Sequence, residues 1–175
     1  MATVTLKGEP VNISGRFPNV GDLAADFVLV DNSLNDVGLK QFRGKKKLLN
    51  IVPSLDTPLC AESARMFNYR AGLLEDVAVL VISADLPFAQ QRFCTTEGVD
   101  QSSTLSMMRN SNFGRDYGVL IGDGPLAGLT TRAVVIVDEQ DRVIYTQLVP
   151  EITTEPDYDA ALAVLQGQTY QPVLS

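Results

Sequence analysis

The segment Thr57-Pro58-Leu59-Cys60 places a thiol three residues after a good helix N-cap. The apolar run before it, 47–52, reads as a buried strand, and the pattern over 61–74 reads as a helix. Pro58 falls at the first helical position, where a missing N–H costs nothing. The Cys60 sulfur is then expected near free backbone N–H groups and the positive end of the helix dipole, where a thiol ionises most readily. A free thiol of pKa near 8.5 is only about 3% thiolate at pH 7, and reaching about 90% takes about 3.4 kcal/mol of differential stabilisation. A helix N-terminus supplies up to about 2 kcal/mol. A nearby cation is therefore needed, and in a chain without histidine it must be Arg or Lys. Arg65 is five residues beyond Cys60 and off its face, whereas Arg132 opens an apolar strand at 133–137. An ordinary salt bridge would also account for Arg132.

A second thiol, Cys94, lies 34 positions after Cys60, late in the following helical pattern. Three readings stay open. A structural disulfide would contribute about 4 kcal/mol in the chain-entropy model, but a reducing cytosol disfavours it. Cys94 could be a resolving thiol that attacks an oxidised Cys60. Or the two cysteines are unrelated small core residues.

The absence of histidine excludes Ser-His-Asp and Cys-His mechanisms and imidazole metal sites, and the two cysteines lack zinc-site spacing. There is no CxxC, GxGxxG or P-loop. The net charge of -7 argues against nucleic acid or anionic lipid as a partner. No apolar run approaches the roughly 20 residues that span a bilayer, and the start of the chain has no basic region or signal-like core. The expected location is the cytoplasm. With 175 residues, 45% apolar and 20% charged, one domain over 1–175 is the simplest organisation.

The elements that would position these residues follow from periodicity. Residues 3–6 and 11–13 flank a Gly/Pro turn as a β-hairpin. Short strands are expected at 26–30 and 34–39, then a polar surface turn over 41–46; the Lys45-Lys46-Lys47 triplet where it meets the 47–52 strand reads as solvated rather than as a binding patch. In the helix after Cys60, an apolar stripe runs through Cys60, Ala64, Phe67, Ala71 and Leu74, so the sulfur starts the core-facing side. Residues 77–84 read as a second, parallel strand. Asp85 is a plausible cap for the helix that carries Cys94 to Gly98. A strand at 105–108, a helical turn at 113–117 and a Gly-rich loop at 118–128 follow. Strands at 132–137 and 142–149 form an antiparallel hairpin, and 157–165 is the last helix, ended by Gly167. This β-α-β-α-β-β-α order is that of an α/β thioredoxin-like fold, a central mixed sheet flanked by helices, with an N-terminal β-hairpin extension.

Pro53-x-x-x-Thr57-x-x-Cys60 resembles the active-site signature of the peroxiredoxins, and the longer string 53–60 resembles their bacterial thiol peroxidase branch. The likeness extends through Gly8-Glu9-Pro10-Val11, the segment 85–94, Arg132-Ala133-Val134, and 149–162. It implies that Cys60 attacks a hydroperoxide, Thr57 orients it, Arg132 polarises it and favours the thiolate, and Pro53 shields the sulfur. It further implies a Cys60–Cys94 disulfide reduced by thioredoxin, a homodimer, and no metal or prosthetic group. Leu55, Leu59 and Phe88 would suit an alkyl chain or simply pack the core. Ala25 stands where the family often has proline, which predicts a looser loop there. Two other readings remain: a peroxide-responsive redox sensor or holdase without efficient turnover, and a general thiol–disulfide oxidoreductase, which the missing CxxC disfavours.

Overall fold

The computed structural model describes residues 2–110 and 112–167; residues 1, 111 and 168–175, which the one-domain expectation also spans, lie outside the described residues. The N-terminal hairpin forms as expected, β1 (Ala2–Leu6) against β2 (Glu9–Ser14). β3 (Leu29–Val30), β4 (Asp36–Val37), β5 (Lys46–Ile51), α1 (Pro58–Ala71), β6 (Val77–Ser83), α2 (Pro87–Glu97) and β7 (Ser103–Ser106) follow. The chain continues through α3 (Phe113–Asp116), β8 (Leu120–Ile121), β9 (Ala133–Val137), β10 (Val143–Leu148) and α4 (Tyr158–Leu165). Seven strands form one mixed sheet in the order β10-β9-β5-β6-β7-β3-β4. This is the expected thioredoxin-like arrangement.

The strands at the centre are β5, β6 and β9, whose near-continuous apolar runs are those of strands buried on both faces. β5 runs parallel to β6 and antiparallel to β9. Leu48, Val79, Val134 and Ile136 pack against Phe67 and Ala71 of α1 and the apolar side of α4. Leu49, Ile51, Leu80, Ile82, Val135 and Val137 face the other way. That second face is covered chiefly by Phe27, Phe113 and Tyr117, whose rings contact one another, and by a 3₁₀ turn at Leu39–Phe42. The helical cover is therefore unequal, with α1 and α4 on one face and the short α3 on the other.

Several expectations need correction. The 26–30 strand shrinks to Leu29–Val30 because the Asp26 carboxylate accepts from Phe27 N and Leu39 N and draws the preceding residues out of the ladder. The 34–39 strand is only Asp36–Val37, with Leu34 at φ +68 in the preceding turn. The strand expected at 105–108 begins two residues earlier. The supposed loop at 118–128 contains β8, which extends the hairpin to a three-stranded sheet. Lys47 lies in β5, as the 47–52 strand requires, but its side chain is not solvated: it is fully buried, and its Nζ donates to Asp141 Oδ1 at 2.8 Å and Asp138 O at 2.9 Å. The loop at Ala25 is pinned without proline, because the Tyr117 hydroxyl donates to the Ala25 carbonyl. Among the described residues, no helix is long and apolar enough to cross a membrane.

Candidate active site

α1 starts where β5 ends. Thr57 has the extended backbone of an N-cap and Pro58 occupies the first helical position, as expected. The Thr57 hydroxyl does not cap; it donates to Ser54 O at 3.1 Å. Cys60 is fully buried, and Ala64, Phe67 and Ala71 bury the same stripe. Cys60 belongs to a buried cluster with Val52, Leu55, Ala64 and Val81, against which the partly buried Phe93 packs. Pro53, next after the Val52 carbonyl that accepts from Thr130 Oγ1 at 2.9 Å, is buried as well.

The register of β9 delivers the cation. Ala133 lies opposite Ile51, so Arg132 stands beside Val52, at the end of β5 from which α1 departs. Strand alternation puts Arg132 on the same face as Val134 and Ile136, the face that α1 covers. Arg132 is 2% exposed. Its Nη2 donates to Cys60 Sγ at 3.2 Å and its Nε to Ile152 O at 3.0 Å, while Nη1 is buried with no acceptor among the described residues. Among the described residues it makes no ion pair with a carboxylate, so a salt bridge does not account for it. Arg65, by contrast, pairs with Glu62 and Glu97.

Asp85 is the group that sequence reasoning misplaced. It does not cap α2, whose N-cap is Leu86. Its carboxylate accepts from Ser54 Oγ at 2.7 Å, Leu55 N at 2.7 Å and Ser83 Oγ at 2.7 Å, tying the loop before Cys60 to the end of β6. A carboxylate two residues before Pro87 looks like a cap in sequence; the signal that it does otherwise is the pair of hydroxyl donors at Ser54 and Ser83.

Cys94 is not bonded to Cys60. Both thiols are free. Cys94 Sγ lies 3.7 Å from Thr104 Oγ1 on β7, and burial pushes its thiol pKa up, partly offset by hydrogen bonding to Thr104. The neighbouring Phe93 is the α2 side chain that packs toward Cys60. Of α2, only Pro87 and Gln90 are buried. Gln90 Nε2 donates to Ser83 Oγ and Leu105 O, both at 3.0 Å. Leu55 and Phe93 also line a cleft of about 440 Å³ between the Cys60 loop and α2, with Asp85 and Arg92 among its walls. Of the apolar residues considered for an alkyl chain, Leu55 is buried and Phe88 is exposed.

A helix-terminal thiol under an arginine, on a thioredoxin-like sheet, defines a thiol-redox protein. The chain belongs to the Redoxin family, whose model matches residues 19–162. It is 51% identical over 165 residues to a thiol peroxidase of Corynebacterium glutamicum, covering 94% of this chain and 99% of that one. Its fold matches the crystal structure of a peroxiredoxin-like protein from Aquifex aeolicus with a TM-score of 0.90, at 41% identity over 95% of this chain and 97% of that one. A thiol peroxidase from Chromobacterium violaceum matches with a TM-score of 0.84, at 29% identity over 94% of this chain and 95% of that one.

Proposed function

We propose that the chain is a peroxidase that reduces hydrogen peroxide and organic hydroperoxides at Cys60, with Cys94 as the resolving thiol and thioredoxin as the reductant. One observation carries this reading: a buried guanidinium donates one N–H to a buried sulfur and keeps a second buried nitrogen without a partner among the described residues. The first holds the sulfur beside the guanidinium through a charge-assisted hydrogen bond. The second is a donor held for an oxygen beside that sulfur, because a buried donor left unmade is costly.

The Cys60 thiolate attacks the distal peroxide oxygen. An S–O bond forms, the O–O bond breaks, and the leaving oxygen takes a proton to become alcohol or water. Negative charge grows on that leaving oxygen, and Arg132 Nη1 and the backbone N–H groups at the start of α1 stabilise it. The Thr57 hydroxyl, one helical turn from Cys60, turns from Ser54 O to orient the peroxide. Pro53 walls the sulfur off from water. The Cys94 thiol then condenses with the Cys60 sulfenic acid, forming an S–S bond and releasing water. Two electrons and two protons from the thioredoxin dithiol restore both thiols.

A disulfide needs its Cα atoms within about 7 Å. Cys94 faces β7, and Phe93 stands on the Cys60 side, so α2 must come away from β6 and β7, releasing Gln90 as well as Cys94, before the bond can form. Cytoplasmic residence suits a pair of thiols kept reduced. A homodimer has apolar surface to use: Leu86 and Phe88 at the start of α2 and Met108 after β7 are exposed.

The test is peroxide consumption coupled to thioredoxin. Cys60→Ser abolishes it, and Arg132→Ala slows the oxidation of Cys60. Wild-type rates in both variants would remove these residues from the mechanism, and a single stoichiometric oxidation without recycling would make the protein a sensor.

A further inference from the structure

The Arg132 guanidinium is aimed by a carbonyl from a distant segment. Its Nε donates to Ile152 O, and Val149 N donates to the Arg132 carbonyl at 3.1 Å, so residues 149–152 hold both its side chain and its main chain. That segment belongs to no regular element of the central sheet. It is laid along β1 instead: Thr5 N donates to Pro150 O and Ile152 N to Thr5 O, both at 2.8 Å, with Glu151 bridged to Thr5 in parallel.

The side chain of Glu151 closes this arrangement. Its Oε1 accepts from Thr5 Oγ1 at 2.8 Å and Gly8 N at 2.8 Å. Its Oε2 accepts from Lys7 N at 3.1 Å, Thr153 N at 2.9 Å and Thr153 Oγ1 at 2.6 Å. Lys7 and Gly8 sit at φ +51 and +85, the turn in which two successive N–H groups converge on one anion. Thr153 and these backbone donors hold the Glu151 carboxyl far below the usual carboxylate range, so it stays charged at any physiological pH. The ordinary function of an N-terminal hairpin is to cover core. Here its turn is fastened to the residue next to the one that orients the arginine.

We propose that Glu151 is a positioning residue for the peroxide-reducing site: it buckles the Lys7-Gly8 turn to the 149–153 segment and so fixes the Ile152 carbonyl that aims Arg132 at Cys60. This rests on the role given to Arg132 above. Outer residues that orient a reacting group typically matter by about 10- to 100-fold.

The test is a double-mutant cycle between Glu151→Ala and Arg132→Ala. Two quantities are measured on the full chain: the rate of Cys60 oxidation by cumene hydroperoxide, and the melting temperature. In the wild-type background E151A lowers the oxidation rate about 10-fold or more. In the R132A background E151A lowers the melting temperature by a similar amount but leaves the already slow oxidation unchanged, because no guanidinium remains to be aimed. Equal fold-losses of rate in both backgrounds, or a folded E151A protein with the wild-type rate, would overturn the proposal. A wild-type rate in R132A alone would instead overturn the role of the arginine. If E151A does not fold, Thr153→Val, which removes one donor of the five, takes its place in the same cycle: a smaller loss confined to the Arg132 background supports the buckle, and no loss or an equal loss overturns it.

Discussion

Opening of α2 is the step most open to quantitative test, and Gln90 is the residue to change. Gln90 is fully buried and reaches from α2 to β6 and β7 through hydrogen bonds to Ser83 Oγ and Leu105 O. Apart from Pro87 it is the one buried residue of that helix. Gln90→Ala removes two bonds of about 1 kcal/mol net each, so the open state gains about 2 kcal/mol relative to the closed one. Leaving the Leu105 carbonyl short of a donor adds to this, and removing the partnerless Gln90 Oε1 subtracts from it. The opening constant rises about 30-fold. The chain has no tryptophan, so the assay is quenched mixing with one equivalent of cumene hydroperoxide followed by intact mass. Conversion of the sulfenic acid to the disulfide accelerates by about the same 30-fold factor if opening limits it, while formation of the sulfenic acid does not change. A folded Q90A protein that forms the disulfide no faster than wild type would refute the reasoning.

Three further outcomes are expected. Asp85→Ala, which strips the partner from the Leu55 N–H and from two hydroxyls, lowers the melting temperature and slows Cys60 oxidation by about tenfold; a slower disulfide step with normal oxidation would place Asp85 with α2 instead. Lys47→Ala breaks a largely buried ion pair and costs about 3 kcal/mol in a denaturant titration, with the oxidation rate unchanged. The third concerns pH. Burial raises the Cys94 thiol in the closed helix, whereas the open helix carries it at its ordinary value. The closed form therefore binds the thiol proton more tightly and loses its advantage as pH rises past the ordinary thiol value of about 8.5. Disulfide formation should accelerate over that range more steeply than sulfenic acid formation, and parallel pH profiles for the two steps would contradict this.

The half of the site built from local sequence was legible. Cap, proline and sulfur at Thr57, Pro58 and Cys60 lie within four residues, and the apolar stripe through Ala64, Phe67 and Ala71 settled which way the sulfur faces. Arg132 could be nominated from the run it opens, but its aim depends on the β5–β9 register and on a carbonyl at Ile152, both long-range. The burial of the Lys47 side chain was hidden because a basic triplet resembles a solvated turn; its partner Asp141 lies 94 residues away. Asp85 was misread for the same kind of reason, since its partner loop comes from the preceding strand. β8 is two residues long and exists because β2 offers it an edge, so no periodicity of its own could announce it. Local propensity finds helices and buried strands; polar groups whose partners come from elsewhere in the chain need the fold itself.

The most direct measurement is the product of one turnover. Reduced protein is treated with one equivalent of cumene hydroperoxide, and its mass and free thiols are recorded. The account predicts loss of two hydrogens and of both thiols in the wild-type chain, a sulfenic acid trapped on Cys60 in Cys94→Ser, and no reaction in Cys60→Ser. Gain of one oxygen on Cys60 with Cys94 still free in the wild-type chain would contradict the two-cysteine cycle, and an unchanged mass would contradict peroxide reduction altogether.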